Sequence, residues 1–375
     1  MAGIYIHIPY CSKACHYCDF HFSTNLKSKK DMVNAIVREL ELRVEYLQGE
    51  TIETIYFGGG TPSLLSIEEL QWLLGSIYDH FEVSNLPEIT LEANPDDLST
   101  DTLEAFRNAG VNRLSLGTQS FYDPHLQLLN RSHSAAQSIM SLELIQSAGF
   151  TNYSADLIYA IPHSDHSVWM DDIDQMLSFS PPHLSCYNLT VEEKTVLGKW
   201  TKTGKFVESE DGFAYEQLDM LMDRLSANGY EHYEISNFAK PGYHSRHNSN
   251  YWNNHNYLGL GPGAHSYNQS SRQYNISNNA LYIKGIASGQ VPAQIELLSP
   301  TDKINEAILT QIRTSAGIDL SQLVSQFGYD ILHEQKAVLE NLINRSYLEK
   351  SDNHLRLTRA GKFLADKITE DLFIA

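Results

Sequence analysis

Six short β-branched runs alternate with helix-period stretches between Ile4 and Thr190, and this alternation constrains the fold more than any other property of the chain. The runs fall at 3–9, 54–57, 88–93, 111–117, 152–159 and 183–190. Between the first two, Met32, Ile36, Val37, Leu40, Val44 and Leu47 make one apolar stripe at helical spacing. Strands joined through helices lie parallel. The pattern therefore predicts an α/β fold: a parallel sheet rolled into an incomplete, TIM-like barrel of six βα units, with function at the C-terminal ends of its strands.

Unusual residues gather at those predicted strand ends. Directly after Ile4-Tyr5-Ile6-His7-Ile8-Pro9 comes Cys11-Ser12-Lys13-Ala14-Cys15-His16-Tyr17-Cys18, so three of the four cysteines share eight residues at C-x3-C-x2-C spacing. Three thiolates on one short loop can hold three irons of a cubane cluster and leave the fourth iron without a protein ligand. A structural zinc site wants a closed tetrahedron, which His7, His16 or His21 would have to complete. A disulfide is disfavoured by three clustered thiols and by the expected lack of a secretory signal. The second run ends in Gly58-Gly59-Gly60-Thr61-Pro62-Ser63, where glycines let backbone approach a ligand or merely make a tight turn. Glu92, ahead of Asn94-Pro95, is either an acceptor for ribose hydroxyls or a surface loop acid. The fourth run ends at Gly117-Thr118-Gln119-Ser120, with Asn130-Arg131 beyond it. The fifth carries Asp156, a charge that an apolar strand must pair or use. Cys186 in the sixth reads as a small buried hydrophobe, its rival roles being a fourth cluster ligand or a cavity-facing thiol.

The cysteine string, with Tyr17 before its last member, resembles the signature of the radical S-adenosylmethionine (SAM) superfamily. The wider Tyr5-Ile6-His7-Ile8-Pro9-Tyr10-Cys11 resembles the group that holds the oxygen-independent coproporphyrinogen III oxidase HemN and the haem chaperone HemW. The resemblance runs from Tyr5 to about His265. It implies the radical SAM partial (β/α)6 barrel, a 4Fe–4S cluster on Cys11, Cys15 and Cys18, and SAM on the open iron as the source of a 5′-deoxyadenosyl radical. It also implies that Tyr5 and Tyr17 flank the bound SAM, that Gly59, Gly60 and Thr61 hold its methionine end, and that Glu92 takes the ribose. Gln119, Arg131 and Asp156 match polar residues that contact SAM or a second SAM-sized molecule, and Thr190 aligns more loosely with another such contact.

A second dense constellation runs through Tyr230-Glu231-His232-Tyr233, His244-Ser245-Arg246-His247-Asn248-Ser249-Asn250-Tyr251-Trp252 and Gly259-Leu260-Gly261-Pro262-Gly263-Ala264-His265. Such residues can line a pocket for a flat aromatic ligand, or simply be packed aromatics with exposed histidines. His247-Asn248-x2-Tyr251-Trp252 resembles the HNxxYW motif associated with the haem-handling branch of the group. That implies haem contacts at His247, Tyr251 and Trp252, with His247 as axial ligand. On this resemblance the chain is a haem-trafficking protein whose cofactors are the cluster, SAM and haem. Its partners would be a haem-accepting apoprotein and a reductant such as flavodoxin or ferredoxin. The alternatives are the oxidase of the group, which decarboxylates two propionates of coproporphyrinogen III, and a radical SAM enzyme of unrelated substrate. Three departures from the oxidase pattern favour the first reading: Phe20 in place of a further cysteine, only ten residues ahead of Cys11, and the HNxxYW string.

Residues 200–228 read as a charged loop and a long helix with Phe213, Leu218, Leu221 and Leu225 spaced for burial. Residues 281–298 read as a connector, and Ser299-Pro300 as a boundary. Helices at 302–314, 320–327 and 331–345, strands at 348–349 and 355–357, and a last helix from 358 suggest a small winged-helix-like domain. The expected division is a radical SAM core at 1–235, the HNxxYW and Gly-rich region at 236–300, and the small domain at 301–375. Winged helices often bind DNA, yet 301–375 hold nine Lys and Arg against eleven Asp and Glu. The net charge of −19 likewise excludes a general nucleic-acid or anionic-membrane binder. No apolar run reaches the ~18 residues of a membrane span. With neither transmembrane segment nor signal peptide expected, a reducing cytoplasm suits an oxygen-sensitive cluster.

Overall fold

Strand β1 (Ala2–Ile8) sends Ile4, Ile6 and Ile8 outward into the apolar layer beneath the helices, and Gly3, Tyr5 and His7 to the other side. The computed structural model of the chain describes residues 1–374. After β1 come α1 (Lys29–Leu42), β2 (Ile52–Gly59), α2 (Ile67–His80), β3 (Val83–Ala93), α3 (Thr100–Ala109), β4 (Arg113–Gln119), α4 (Asp123–Leu128), α5 (Ala135–Ser147), β5 (Tyr153–Tyr159), α6 (Ser167–Phe179) and β6 (His183–Asn188). The six strands pair in sequence order, each parallel to the next, which is the expected partial (β/α)6 barrel. Local sequence starts the helices: Ser66, Ser99 and Ser134 each close a capping box at the head of α2, α3 and α5. Strand β3 begins earlier than expected, at Val83, because Ser84-Asn85-Leu86-Pro87 is too polar to read as a strand.

Beyond β6, α7 (Val196–Lys202) and α8 (Asp211–Ala227) lead to β7 (Glu231–His232) and β8 (Asn237–Ala239); β8 pairs antiparallel to β6, and β7 antiparallel to β8 at the sheet edge. The chain then crosses beneath the barrel. Helix α9 (Arg246–Trp252) leads into β9 (Asn256–Leu260), which lies parallel to β1 on the opposite edge. β10 (His265–Tyr267), β11 (Ser271–Asn275), α10 (Asn279–Ala287) and β12 (Ala293–Leu297) follow. One twelve-stranded sheet results, in the order β12-β11-β10-β9-β1-β2-β3-β4-β5-β6-β8-β7. The stretch 281–298, read as a connector, thus holds most of a helix and an edge strand. Helix α10 has only nine residues and buries just Tyr282 and Ile286, too short a stripe to read.

The C-terminal elements are α11 (Pro300–Ile312), β13 (Ile318–Asp319), α12 (Leu320–Phe327), α13 (Ile331–Glu334), α14 (Lys336–Asn344), β14 (Leu348–Ser351), β15 (His354–Leu357), α15 (Arg359–Phe363) and α16 (Ala365–Asp371). They form a three-stranded antiparallel sheet with helices around a separate apolar cluster, the winged-helix-like arrangement expected. Among the described residues no helix is long and apolar enough to cross a membrane.

Candidate functional site

The C-terminal ends of β1–β6 open into a cavity of about 520 Å³. Cys11, Cys15, Cys18, Tyr17, Gly59, Gly60, Thr61, Glu92, Gln119, Arg131, Asp156 and Thr190 all line it. Tyr5 does not; it lies beneath, inside the barrel. Close packing explains the two glycines. A Cβ on Gly59 would sit 2.5 Å from His7 Nδ1, and one on Gly60 2.6 Å from the Tyr10 carbonyl oxygen. Gly59 also holds φ at +108°, a left-handed conformation that side chains resist.

The three cavity thiols are free and partly exposed. Their loop is fixed by its backbone: Cys11 N–H donates to the Ser23 carbonyl (3.1 Å) and His16 N–H to that of Leu129 (3.0 Å). The histidines that could have closed a zinc tetrahedron are engaged elsewhere. His7 Nε2 lies 2.8 Å from the His21 carbonyl, His16 Nδ1 2.8 Å from that of Leu128, and His21 Nε2 2.7 Å from Asn279 Oδ1. The donor set left is three soft thiols facing one cavity, which fits a cluster with an open iron. Burial pushes the Cys18 thiol up to about 11, with Cys15 and Cys11 adding to it. A bound metal cation reverses that preference by deprotonating its ligands.

Arg131 stands behind the thiols. Its Nη1 lies 3.4 Å from Cys15 Sγ and from the Tyr17 hydroxyl, while Nη2 donates to Asn94 Oδ1 (2.5 Å) and the Gly117 carbonyl (2.9 Å). On β3, Glu92 accepts from the Tyr56 hydroxyl (2.9 Å) and Gly59 N–H (3.2 Å). Burial raises the Glu92 carboxyl to about 7, opposed by the Tyr56 hydrogen bond and reinforced by Asp156. Burial likewise raises Asp156 to about 6, against hydrogen bonds from Ser185 and Ser154. Gln119 lines the cavity at φ +67°, a strained setting for a non-glycine residue at a strand end. A guanidinium, two half-buried carboxyls and glycine backbone can together hold a zwitterionic nucleoside beside the thiols.

Comparison with known proteins separates the possible families. The model described as the radical SAM superfamily matches residues 5–175, and that of the HemN C-terminal domain matches residues 298–364. A protein named heme chaperone HemW from Lactococcus lactis subsp. lactis is 34% identical over 99% of this chain and 97% of its own. Its namesake from Bacillus subtilis is 34% identical over 98% of each chain. The chain belongs to the HemW family. In fold it is similar to coproporphyrinogen III oxidase (HemN) from Escherichia coli, with a TM-score of 0.86 at 20% identity over 99% of this chain and 90% of that one.

In this HemW-family chain the HNxxYW segment lies away from the thiols. His247, expected as an axial haem ligand, is buried with both ring nitrogens engaged: Nδ1 at 2.8 Å from Thr54 Oγ1 and Nε2 at 2.8 Å from the Tyr251 hydroxyl. It lines neither the strand-end cavity nor the one walled by Tyr251 and Trp252, so iron could reach it only by breaking this network. Tyr251 and Trp252 instead wall a second cavity of about 330 Å³ between α9, β9–β11 and α11, together with Tyr257, Tyr267, Arg272 and Arg313. Cys186 points outward from β6 into the helix-covered core and takes no part in the thiol cavity.

Asn94, Ser115 and Tyr187 also line the first cavity, and sequence reading had not assigned them. The signal was present: Ser185 and Tyr187 alternate with Leu184 and Cys186 and pair across from Asp156 and Ile158.

Proposed function

We propose that this protein is a haem chaperone that carries a 4Fe–4S cluster on Cys11, Cys15 and Cys18, binds SAM in the strand-end cavity and delivers haem to an acceptor apoprotein. Full-length kinship with proteins named heme chaperone HemW carries the reading. When bound, the cluster and SAM supply one-electron chemistry. The chain's own residues position them: Arg131 holds positive charge beside Cys15, Gly59–Thr61 offers backbone to the methionine end, and Glu92 accepts from ribose hydroxyls. The second cavity suits a flat aromatic ligand: Tyr251, Trp252, Tyr257 and Tyr267 supply ring faces, while Arg272, paired with Glu306, and Arg313, paired with Asp366, are the cations that would exchange partners for its carboxylates. Cytoplasmic location and a flavodoxin or ferredoxin reductant belong to the same reading.

The test uses anaerobically reconstituted protein. Haemin should bind with a defined Soret band that Trp252→Ala weakens or shifts, while iron and sulfide content stay constant. Incubation with SAM, reductant and coproporphyrinogen III should leave the porphyrinogen unchanged. Its conversion to protoporphyrinogen IX would replace this reading with the oxidase one.

A further inference from the structure

Inward-facing residues of the first three strands form stacked layers below the SAM cavity. Gly3 pairs with Thr54, Tyr5 with Tyr56, and Thr54 in turn with Glu88. Two glycines make the space. A Cβ on Gly3 would stand 2.8 Å from Thr54 Oγ1 and 3.3 Å from His247 Cε1, and one on Gly58 2.9 Å from the rings of both Tyr5 and Tyr56. Three rings fill it. His247 stacks on Tyr56 with centroids 4.9 Å apart at 28°, and Tyr5 stacks on Tyr56 at 6.0 Å and 26°.

We propose that the HNxxYW segment is the floor of the SAM site and that His247 is a positioning residue for Glu92, acting through the ring of Tyr56. The inference rests on the reading that SAM occupies the strand-end cavity. Helix α9 is locked to the barrel at its first residues, since the Glu88 carboxylate accepts from the backbone N–H groups of Arg246 (3.1 Å) and His247 (2.9 Å). The imidazole is then fixed at both nitrogens. Asn250 Nδ2 donates to Thr54 Oγ1 (3.3 Å), and the network is satisfied with Thr54 donating to His247 Nδ1 and the ring proton on Nε2 facing the Tyr251 oxygen. Burial, aided by Arg113, holds the ring neutral, so its influence is exerted by packing and not by charge. Above it, Tyr56 is clamped between two rings with its hydroxyl on Glu92 Oε1 at 2.9 Å. Glu92 is the only one of these residues that lines the cavity. A ligand group is productive only when its supporting shell fixes it to within about half an ångström. The motif's histidine supplies that support from the side opposite the ligand.

A double-mutant cycle on the full-length, cluster-reconstituted protein tests this, with the SAM dissociation constant measured by anaerobic equilibrium dialysis. Tyr56→Phe should weaken SAM binding about tenfold, the scale of one hydrogen bond to a charged acceptor. His247→Ala should weaken it by a similar factor. The double variant should again lose about tenfold and not a hundredfold, because both changes break one chain of contacts. His247→Phe keeps the stacked ring and should recover most of the affinity. If His247→Ala does not fold, Tyr251→Phe takes its place, removing only the hydroxyl at Nε2, with a loss of a few-fold expected. SAM affinity equal to wild type in the folded floor variant, or losses that multiply in the double, would overturn the proposal while leaving SAM in its cavity. A wild-type protein that binds no SAM would remove the SAM reading and this inference with it.

Discussion

Arg131 sets its Nη1 3.4 Å from Sγ of Cys15, while its other nitrogen is held by Asn94 and the Gly117 carbonyl. The guanidinium cannot swing away from the thiol without abandoning two hydrogen bonds. A fixed cation beside a cluster ligand favours the electron-rich form of the cluster. Arg131→Met should therefore make the reduction potential more negative. Loss of ~1.4 kcal/mol of support corresponds to ~59 mV for a one-electron couple. A redox titration followed by electron paramagnetic resonance reads this directly, and an unchanged potential would remove Arg131 from the tuning role.

The two kinds of cysteine should behave oppositely. Cys15→Ala removes one of three thiols that share the cavity, so iron and sulfide content should collapse after reconstitution. Cys186→Ala lies on the outward face of β6 and should retain the full cluster. Its cost is a small core cavity of about 1 kcal/mol. Retention of four irons by Cys15→Ala would refute the ligand assignment.

The barrel was legible because its outer faces obey the usual rule: Ile4, Ile6, Ile8, Ile55, Phe57, Leu91 and Leu114 alternate toward the helices and are buried. The strand-end residues were legible because Cys11–Cys18, Gly59-Gly60-Thr61 and Glu92 sit immediately after such runs. The barrel interior was not. There the rule inverts, and Glu88, Arg113 and His183 on the strands and His247 on α9 are buried polar groups. Burial of these residues depends on strands distant in sequence, with His183 held by Ser154 and Tyr233 and His247 by Thr54 and Tyr251. A histidine in polar, aromatic sequence reads as a ligand until that long-range pairing is known. The return of β9 to the edge of β1, which sets α9 under the barrel, leaves no local mark either.

Glu92 should show a conflict between stability and binding. Its folded value of about 7 stands above the ordinary 4.5, mainly through burial, with Tyr56, Asp156, Gly59 N–H and Arg113 as its charged or hydrogen-bonding neighbours. A raised carboxyl contributes stability that is full below the unfolded value and is lost as pH rises through the folded one, so the decline falls between about 4.5 and 7. Asp156, at about 6, adds to it in the same direction. Glu92→Gln should therefore stabilise the ligand-free protein at pH 8 by something on the order of a few kcal/mol and flatten this decline. The same variant should bind SAM about tenfold more weakly, a loss of ~1.5 kcal/mol. SAM affinity of the wild type should rise with pH across 7 as the acceptor ionises. Denaturation midpoints and SAM binding from pH 5 to 8.5 check both limbs. Glu92→Gln with undiminished SAM affinity would place the ribose elsewhere.

Glu39 offers the most severe stability test because it is fully buried at the centre of a saturated network. One oxygen accepts from Arg43 Nη1 (3.2 Å) and Asn275 Nδ2 (2.7 Å), the other from Gly261 N–H (2.8 Å) and the Tyr282 hydroxyl (2.5 Å). Arg43 goes on to the Gly259 carbonyl (3.1 Å), Ser266 Oγ (3.1 Å) and Gln273 Oε1 (2.8 Å). Together they tie the Gly-rich turn after β9 to α1. That turn is pressed on the barrel, since a Cβ on Gly261 would lie 2.5 Å from the His7 carbonyl oxygen. Glu39→Ala leaves Arg43 buried without its countercharge and Gly261 N–H without an acceptor, a loss on the order of 3–5 kcal/mol. Glu39→Gln keeps one acceptor oxygen and most of the volume, and should lose less. Because His7 holds the segment that follows the cysteine loop through its hydrogen bond to the His21 carbonyl, Glu39→Ala should also retain less iron after reconstitution. Urea denaturation of the three proteins settles the first point, and a drop of under ~1 kcal/mol for Glu39→Ala would show that water or a rearranged turn replaces the carboxylate.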